Sequence, residues 1–292
     1  MPIERPLDHL VLCVRDLDAA RASYERLGFT LTPKASHPFG TGNSLVQLHG
    51  NFLELLAVVD RRLIKPVEPG EFAFAAFNER FLAVHEGMSM LVFTSADARR
   101  DHREFAASGL QTYRPFDFSR PAKLPDGSEA TVGFSLAFVT EPRMPEAAFF
   151  VCQQHAPQYF WKPDYQRHRN GALAVDEVVM VAPDPAAFAG FFAKLQPDGA
   201  LVSESGRLTV GTSRGAITIL DAAGFAARFP LNPPPALATP HFAAYRLDVA
   251  DLAETTALLR KNDVAFRRHG PAIQVGPAET FGVTLEFAER SC

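Results

Sequence analysis

The chain contains little cysteine, a single tryptophan and no long apolar run. Its 292 residues include three widely scattered cysteines. An odd number of scattered cysteines argues against a disulfide framework and is typical of reduced thiols in a cytoplasm. No apolar run approaches the roughly 20 residues of a membrane-spanning helix, and Glu4, Arg5 and Asp8 interrupt any signal-peptide pattern. We therefore expect a cytoplasmic protein without a membrane partner.

The motifs and charge pattern of nucleotide-using and nucleic-acid-binding proteins are also missing. The sequence contains no P-loop, no dinucleotide fingerprint, no Gly-x-Ser-x-Gly and no His-Glu-x-x-His. The formal net charge is −4, the pI is near 6.1, and the basic residues form no stripe. We expect no nucleotide cofactor and no nucleic-acid partner. A 47% hydrophobic content supports a large core, to which we assign most of the 25 phenylalanines.

A strand that runs into a helix recurs four times along the chain. The four copies begin at Asp8, Ser89, Asp176 and Tyr245. In each copy an Asp follows the strand, where it can cap the helix, and short strands separated by turn residues come next. The pattern predicts an α+β protein of four βαβββ modules in two tandem domains, at 1–158 and 171–292. A polar and aromatic segment, 159–170, is predicted to be a crossover linker.

Two polar side chains interrupt the apolar strands of the first module. His9 lies on its first strand and Glu54 on its last. If these two strands are neighbours in the sheet, side chains on their common face lie about 5 Å apart. An imidazole and a carboxylate at that distance suit a divalent ion such as Zn, Fe, Ni or Mn. The alternative is a buried histidine and a carboxylate that are satisfied by hydrogen bonds nearby.

Several segments resemble the vicinal oxygen chelate superfamily, also called the glyoxalase/bleomycin-resistance/dioxygenase proteins. They are Asp8-His9-Leu10-Val11-Leu12, the helix that ends at Leu27-Gly28-Phe29, and the strand Phe52-Leu53-Glu54-Leu55. More narrowly, Gly40-Thr41-Gly42-Asn43, Phe149-Phe150-Val151-Cys152-Gln153 and the segment from Trp161 to Gly171 resemble its glyoxalase-like branch. The resemblance implies half-barrels of two modules, each with its strands in the order first, fourth, third, second.

The resemblance also implies a function. Superfamily sites hold a divalent metal with residues from the first and last strand of each module in a pair. The implied protein is a metal-dependent lyase, isomerase or dioxygenase that acts on a small molecule with vicinal oxygens. Glu54 would be both a metal ligand and a catalytic base. The alternative is a metal-free protein that sequesters a small molecule, like the resistance members of the superfamily.

Few matching positions in the other modules carry metal ligands. Those that match His9 are Met90, Glu177 and Ala244, and those that match Glu54 include Ile219 and Glu286. If the first module pairs with the fourth, Glu286 joins His9 and Glu54 as a third ligand; otherwise consecutive modules pair. The last strand of the second module presents one of two sets to the site, because a slip of one residue flips the face. The sets are Val151, Gln153 and His155, or Phe150, Cys152 and Gln154. From these residues we select Gln153 and His155 as candidate ligand-binding residues.

Further residues predict a small, partly apolar and anionic ligand. Arg114 and Arg120 stand among Phe116 and Phe118, a pattern that suits a carboxylate on an apolar molecule or, alternatively, a solvated surface strand. Asn43 belongs to a Gly-rich segment that either cradles an anion or simply turns the chain. We interpret Cys152 as a buried, inert thiol. Sheet edges that need covering predict a homodimer.

Overall fold

The computed structural model describes residues 5–123, 129–230 and 239–290. Within them the strands form two sheets, of nine and eight strands. Each sheet is built from two consecutive modules, so the prediction of an α+β protein with four βαβββ modules in two half-barrels is confirmed. No helix in these ranges is long and apolar enough to cross a membrane.

The first half-barrel contains modules one and two and a connecting helix. Module one comprises β1 (Leu7–Cys13), α1 (Leu17–Arg26), β2 (Ala35–Ser36), β3 (Thr41–Gln47) and β4 (Phe52–Val58). A 3₁₀ turn (Arg61–Leu63) and α2 (Phe74–Val84) lead to module two. Module two comprises β5 (Gly87–Thr94), α3 (Ala98–Ala107), β6 (Gln111–Thr112), β7 (Phe116–Lys123), β8 (Glu129–Thr140) and β9 (Ala148–Gln154). A linker with α4 (Pro157–Phe160) and a 3₁₀ turn (Pro163–Gln166) follows.

The second half-barrel repeats this plan. Module three comprises β10 (Ala172–Val181), a 3₁₀ turn (Pro185–Phe188), α5 (Ala189–Leu195), β11 (Leu201–Glu204), β12 (Arg207–Gly211) and β13 (Ala216–Leu220). Its connecting helix is α6 (Ala222–Arg228). Module four comprises β14 (His241–Val249), α7 (Leu252–Lys261), β15 (Phe266–His269), β16 (Ala272–Val275), α8 (Pro277–Thr280) and β17 (Thr284–Glu289).

The sheet order follows from how the modules meet. In module one the order is β1, β4, β3, β2, as the resemblance implied. β1 pairs parallel with β4 and antiparallel with β5, so the two modules join edge to edge through their first strands. β10 and β14 join modules three and four in the same way. Modules one and four therefore lie in different sheets.

Aspartates cap the helix that follows the first strand of each module. Asp16, Asp97 and Asp251 each accept hydrogen bonds from two backbone N–H groups of the first turn. Asp184 accepts one from Ala186. These side chains satisfy donors that a helix start leaves unpaired. The capping prediction is confirmed. Three residues separate the first strand from the helical segment in modules one to three, and two in module four.

The helix-covered faces of the two half-barrels share one buried apolar cluster. Phe149 of β9 packs against Phe192 of α5 and Phe242 of β14, with ring centroids 5.7 and 5.6 Å apart. The hydroxyls of Tyr24 and Tyr245 hydrogen-bond across the halves at 2.8 Å. The opposite, concave face of each half-barrel lines one of the two cavities described below.

Asn170, at the end of the linker, holds the halves together through a buried side-chain amide. Its Nδ2 donates to the carbonyl of Leu27 at 3.0 Å, and its Oδ1 accepts from the N–H of Ala172 at 3.1 Å. The residue is 1% exposed. The carbonyl of Leu27 and the N–H of Ala172 therefore depend on this side chain as their hydrogen-bond partner, because water does not readily reach this buried position.

Replacing Asn170 with Ala should lower the free energy of unfolding by about 1–3 kcal/mol, because buried backbone groups lose their partners. Asn262→Ala is the matched control. The Asn262 amide donates to the carbonyl of Arg26 at an exposed position, so its loss should change stability by only about 0.5 kcal/mol. Urea denaturation measures both values. Equal losses in the two variants would contradict the role of Asn170.

Candidate active site in the first half-barrel

A β-bulge sets the direction of His9. Between Leu7 and His9 the chain of β1 advances two residues, while its partner β5 advances only from Phe93 to Val92. Asp8 is the extra residue, and a bulge of this kind bends its strand and re-aims side chains. The Asp8 carboxylate lies 2.6 Å from Nδ1 of His9 and accepts from Thr94 Oγ1 at 3.1 Å. The imidazole is thereby held at one nitrogen and left open at the other.

Glu54 and Asn43 lie beside the open nitrogen. Nε2 of His9 is 3.8 Å from Oε2 of Glu54, and both residues are 6% exposed. Nδ2 of Asn43 donates to Oε1 of Glu54 at 2.5 Å. The neighbours of Glu54 on β4, Leu53 and Leu55, belong to the helix-side core. The structure thus brings together three of the residues that the sequence singled out.

His37 is a fourth polar residue of the site, and the sequence did not reveal it. Its Nδ1 is 2.8 Å from Thr41 Oγ1, and its Nε2 is 3.3 Å from Nδ2 of Asn43. Burial lowers the pKa of His37, as does Arg120 more weakly, while Glu54 opposes them. A neutral His37 that accepts from Asn43 follows from both observations. The only sequence signal is a histidine three residues before the Gly-rich segment.

Aromatic rings enclose these groups in a chamber of about 60 Å³. Eight phenylalanines of the described chain line it: Phe39, Phe52, Phe74, Phe116, Phe118, Phe134, Phe150 and Phe160. The ring of His9 stacks on Phe52 with centroids 4.2 Å apart. These phenylalanines, which include Phe116 and Phe118, therefore do more than fill the core. They surround a small polar cluster with apolar walls.

The two arginines that were predicted to bind the ligand lie in different places in the structure. Arg120 lines the chamber, where burial lowers the pKa of its guanidinium and Glu54 raises it. Within the described residues that guanidinium makes no hydrogen bond or ion pair. Arg114 lies outside the chamber and is exposed. It donates to the carbonyl of Pro69 at 3.0 Å and pairs with Glu71 at 3.1 Å.

The face of β9 is now settled. Phe150 and Cys152 line the chamber. Gln153 points to the opposite face, where its amide accepts from Ala98 N at 3.2 Å and donates to Ala96 O at 3.0 Å. Nε2 of His155 lies 2.8 Å from Ser135 Oγ on that face. The alternation of a strand therefore keeps Gln153 and His155 out of the chamber, contrary to their choice as ligand-binding residues.

The thiol of Cys152 stays protonated. Burial raises its pKa well above the ordinary value, and the nearby carboxylates of Asp8 and Glu54 raise it further. A thiolate is the reactive form of cysteine. The surroundings of Cys152 thus agree with an inert wall residue.

Two of the four positions that hold a metal in the superfamily are apolar here. Glu54 on β4 lies opposite Val11, two residues after His9. Phe150 on β9 lies opposite Val92, two residues after Met90. Phe150 therefore takes the place of Glu54 in module two. Met90 takes the place of His9. Catalytic zinc sites keep three protein ligands, but the part of the chain that the structure describes has no group of three or more His, Cys, Asp or Glu suited to a metal. His9 and Glu54 are close enough to share an ion, yet the set does not fit a tightly held one.

The second half-barrel carries an arginine where its first-strand and last-strand carboxylates meet. Arg228, at the end of α6, donates to both oxygens of Glu177 at 3.0 and 2.5 Å and to Glu286 Oε1 at 2.8 Å. Gln274 Nε2 donates to the other oxygen of Glu286 at 2.7 Å. An internal guanidinium therefore occupies the space between Glu177, which matches His9 in module three, and Glu286, which matches Glu54 in module four.

Two expectations from the sequence need correction at this point. Glu286 does not join His9 and Glu54, because module four pairs with module three and β17 lies in the second sheet. In module three the residue that matches Glu54 is Thr218 rather than Ile219, since Thr218 lies opposite Val179 as Glu54 lies opposite Val11. Ile219 belongs to the helix-side core.

Comparison with known proteins agrees with the geometry. Residues 7–196 match the family described as the glyoxalase-like domain. This chain belongs to that family. The resemblance to the vicinal oxygen chelate superfamily is thereby confirmed. No curated protein matches the sequence closely enough to count as a relative.

Solved structures with the same fold include members of this superfamily. A hypothetical protein from Staphylococcus aureus has 14% sequence identity and a TM-score of 0.70, with 98% of this chain and 100% of that chain covered. A mutant 4-hydroxymandelate synthase from Streptomyces coelicolor has 13% identity and a TM-score of 0.59, with coverage of 100% and 95%. The Mn(II)-bound glyoxalase from Novosphingobium aromaticivorans has 10% identity and a TM-score of 0.58, with coverage of 98% and 82%. At these identities the likeness shows the fold alone.

Removing the guanidinium of the second half-barrel should destabilise this glyoxalase-like protein. Arg228→Met leaves Glu177 and Glu286 buried without their cation, which typically lowers the free energy of unfolding by about 3–5 kcal/mol. Burial alone raises the pKa of Glu177, but the hydrogen bonds from Arg228 lower it below its ordinary value. The pair therefore stabilises the fold above the ordinary carboxyl pKa and less in acid. The deficit of the variant should therefore shrink in acid, as the Glu177 carboxyl protonates.

Arg207→Met is the matched control for Arg228→Met. Arg207 lines the same cavity but is exposed, and its guanidinium donates only to Thr209 Oγ1 at 3.2 Å within the described residues. Denaturation at neutral and acid pH should show little change in this variant. A loss at Arg228 that is the same at both pH values would contradict the ionic explanation.

Proposed function

We propose that the first half-barrel is an enzyme active site in which His9 moves a proton on a small, largely apolar substrate that carries oxygen. The observation that supports this most directly is the arrangement of the imidazole. Nδ1 is 2.6 Å from the Asp8 carboxylate, while Nε2 lies in the chamber beside Glu54. A histidine held in this way is a common general base.

Asp8 determines which nitrogen of His9 reacts. A carboxylate accepts only from an N–H, so the neutral ring carries its proton on Nδ1 and presents an unprotonated Nε2 to the chamber. When Nε2 takes a proton, the positive ring lies between the carboxylates of Asp8 and Glu54. Asp8 is therefore a positioning residue, and His9 is the base.

The reaction that these groups support is removal of a proton from a carbon next to a carbonyl. Nε2 of His9 takes the proton, and the electron pair of the C–H bond moves to the carbonyl oxygen as an enolate. Arg120 offers the positive charge that such an oxygen requires. If the proton returns to the former carbonyl carbon while the hydroxyl proton passes from one oxygen to the other, the reaction is an isomerisation. If the enolate instead expels a β-hydroxyl group, which takes the proton from His9 and leaves as water, it is an elimination. Glu54, fixed by Asn43, accepts a hydrogen bond from a substrate hydroxyl group.

The walls of the chamber select the substrate by size and polarity. Phenylalanine rings exclude water and strengthen the electrostatic interactions of the few polar groups inside. A small molecule with an apolar body, adjacent oxygens and a negative charge fits this lining better than a sugar or a nucleotide. Sequestration of such a molecule without chemistry is the alternative function, and the apolar lining of the chamber favours it.

Metal dependence is the main difference between this proposal and the expectation from the resemblance. The Mn(II)-bound glyoxalase with the same fold is a metal protein by its description. In this chain Met90 and Phe150 supply no ligand at the corresponding positions. We therefore propose proton transfer by the side chains themselves. Cytoplasmic location and a homodimer remain predictions, the latter in keeping with the exposed edge strand β11.

Proton transfer can be measured by exchange with deuterium. The protein should catalyse loss of the carbon-bound proton signal of a small aryl 2-hydroxyketone in D₂O, followed by NMR. His9→Gln should slow the exchange by about 10²–10⁴-fold, the usual contribution of a general base. His102→Gln, on α3 at the opposite face, should leave it unchanged. Binding of such ketones by the wild type without any exchange would support the sequestration alternative.

Metal analysis distinguishes the two kinds of enzyme. Protein purified without a nickel column should contain much less than one divalent ion per chain, and a chelator should not change the exchange rate. Cys152→Ser should behave like the wild type in both respects. One ion per chain that is lost in both His9→Gln and Glu54→Gln would overturn the metal-free proposal. It would establish the metal-dependent lyase, isomerase or dioxygenase that the resemblance implied.

A further inference from the structure

A second cavity opens beside the chamber, and the linker forms its outer wall. It measures about 450 Å³ and shares four lining residues with the chamber: Asn43, Leu45, Arg120 and Phe160. Tyr159, Lys162 and Tyr165 line it from the linker. We call it the linker mouth. A molecule too long for the chamber would extend into this space.

The described lining of the linker mouth contains cations and no acidic side chain, although the Glu54 carboxylate of the neighbouring chamber acts on Arg120. Its cations are Lys34, Arg120 and Lys162, and no Asp or Glu is among the described residues that line it. Lys34 is neutralised by Asp18, whose carboxylate lies 2.7 Å from its ammonium group. The side chains of Arg120 and Lys162 have no ion pair within the described residues, although both are partly buried. Partly buried cations without a partner favour the binding of an anion.

The opposite opening of the chamber has a different charge. That depression, of about 440 Å³, shares Phe39, Phe74, Phe116 and Phe118 with the chamber. Its charged lining is mixed and consists of Lys65, Glu68, Glu71, Arg114 and Asp117. Arg114 is already paired with Glu71. A negative group is therefore directed to the linker mouth and not to this side.

A glutamine fixes the linker where it forms the mouth. Nε2 of Gln47 donates to the carbonyl of Phe160 at 2.8 Å, and its Oε1 accepts from the N–H of Lys162 at 2.9 Å. Gln47 is 2% exposed. The backbone on both sides of Trp161 is thus held to β3, so the backbone of Lys162 has a fixed position before a ligand binds. Preorganisation of this kind lowers the entropy that binding would cost.

We propose that the linker mouth binds the anionic group of the substrate, between Arg120 and Lys162, while the apolar part enters the phenylalanine chamber. The substrate class is then an aryl or alkyl oxyacid whose anion is a carboxylate or a phosphate. The assignment rests on the proposed function of the chamber. It adds the position of the charge and gives the linker a part in recognition.

The only tryptophan provides a direct measurement. The ring of Trp161 lies 5.8 Å from that of Phe52 and 5.1 Å from that of Phe160, two chamber residues. Its fluorescence can be titrated with 3-phenylpropanoate, 3-phenylpropyl phosphate and the uncharged 3-phenylpropan-1-ol. Both anions should bind more tightly than the alcohol, and the difference should fall as salt screens the charges. The tighter of the two anions identifies the carboxylate or the phosphate as the preferred group.

Two pairs of variants locate the anion. Lys162→Gln should weaken the anions by about two- to fivefold, the size expected for a partly exposed charge, and Arg120→Gln by about tenfold or more. Lys162→Gln should not change the affinity for the alcohol. Lys65→Gln and Arg114→Gln, at the opposite opening, should leave all three probes unaffected. Calorimetry checks the Lys162 result independently of its neighbour Trp161.

The outcomes separate this inference from the proposed function. Equal affinity for anions and alcohol, or anion binding that Lys65→Gln weakens as much as Lys162→Gln, would overturn the linker mouth as the anion site. The chamber and its proton transfer would still stand. Failure of all three probes to bind would overturn both. Loss of exchange in His9→Gln with intact anion selectivity would support both.

Discussion

The antiparallel pairing of β1 with β5 is the constraint on which the rest of the site depends. It decides which modules share a concave face. His9 and Glu54 therefore share that face with Met90 and Phe150, and Glu286 lies in the other sheet. The same pairing contains the bulge at Asp8 that re-aims the imidazole. One hydrogen-bonding register thereby supplies the proposed base, the carboxylate that orients it and an apolar opposite wall.

The two connecting helices occupy corresponding places in the chain and give their half-barrels opposite chemistry. α2 brings Phe74 into a chamber that remains open to a small molecule. α6 brings Arg228 onto Glu177 and Glu286 and satisfies both carboxylates from within. The proposed ligand-binding role thus lies in the first half. The second half keeps polar residues at the corresponding strand positions, but its own arginine binds them.

The fold was predictable because it depends on local signals that recur: an apolar strand, a capping Asp, an amphipathic helix and turns. His9 and Glu54 were predictable because polar residues in apolar strands stand out. His37 and the cationic mouth were not, since their roles depend on which residues from distant segments meet. Gln153, His155 and Ile219 show a second limit. Each sits one residue from a site position, and strand alternation makes that difference decisive.

The shared helix-side core has a consequence for how the protein can change. Phe149 packs on rings of the second half, and Tyr24 shares a hydrogen bond with Tyr245. A chain cut at the linker would expose these surfaces to water. The second half-barrel therefore cannot be deleted without exposing this core, whatever its own concavity binds. It acts as a buttress: its packing residues and the buried ion pairs of Arg228 support the fold that holds the first concavity in shape.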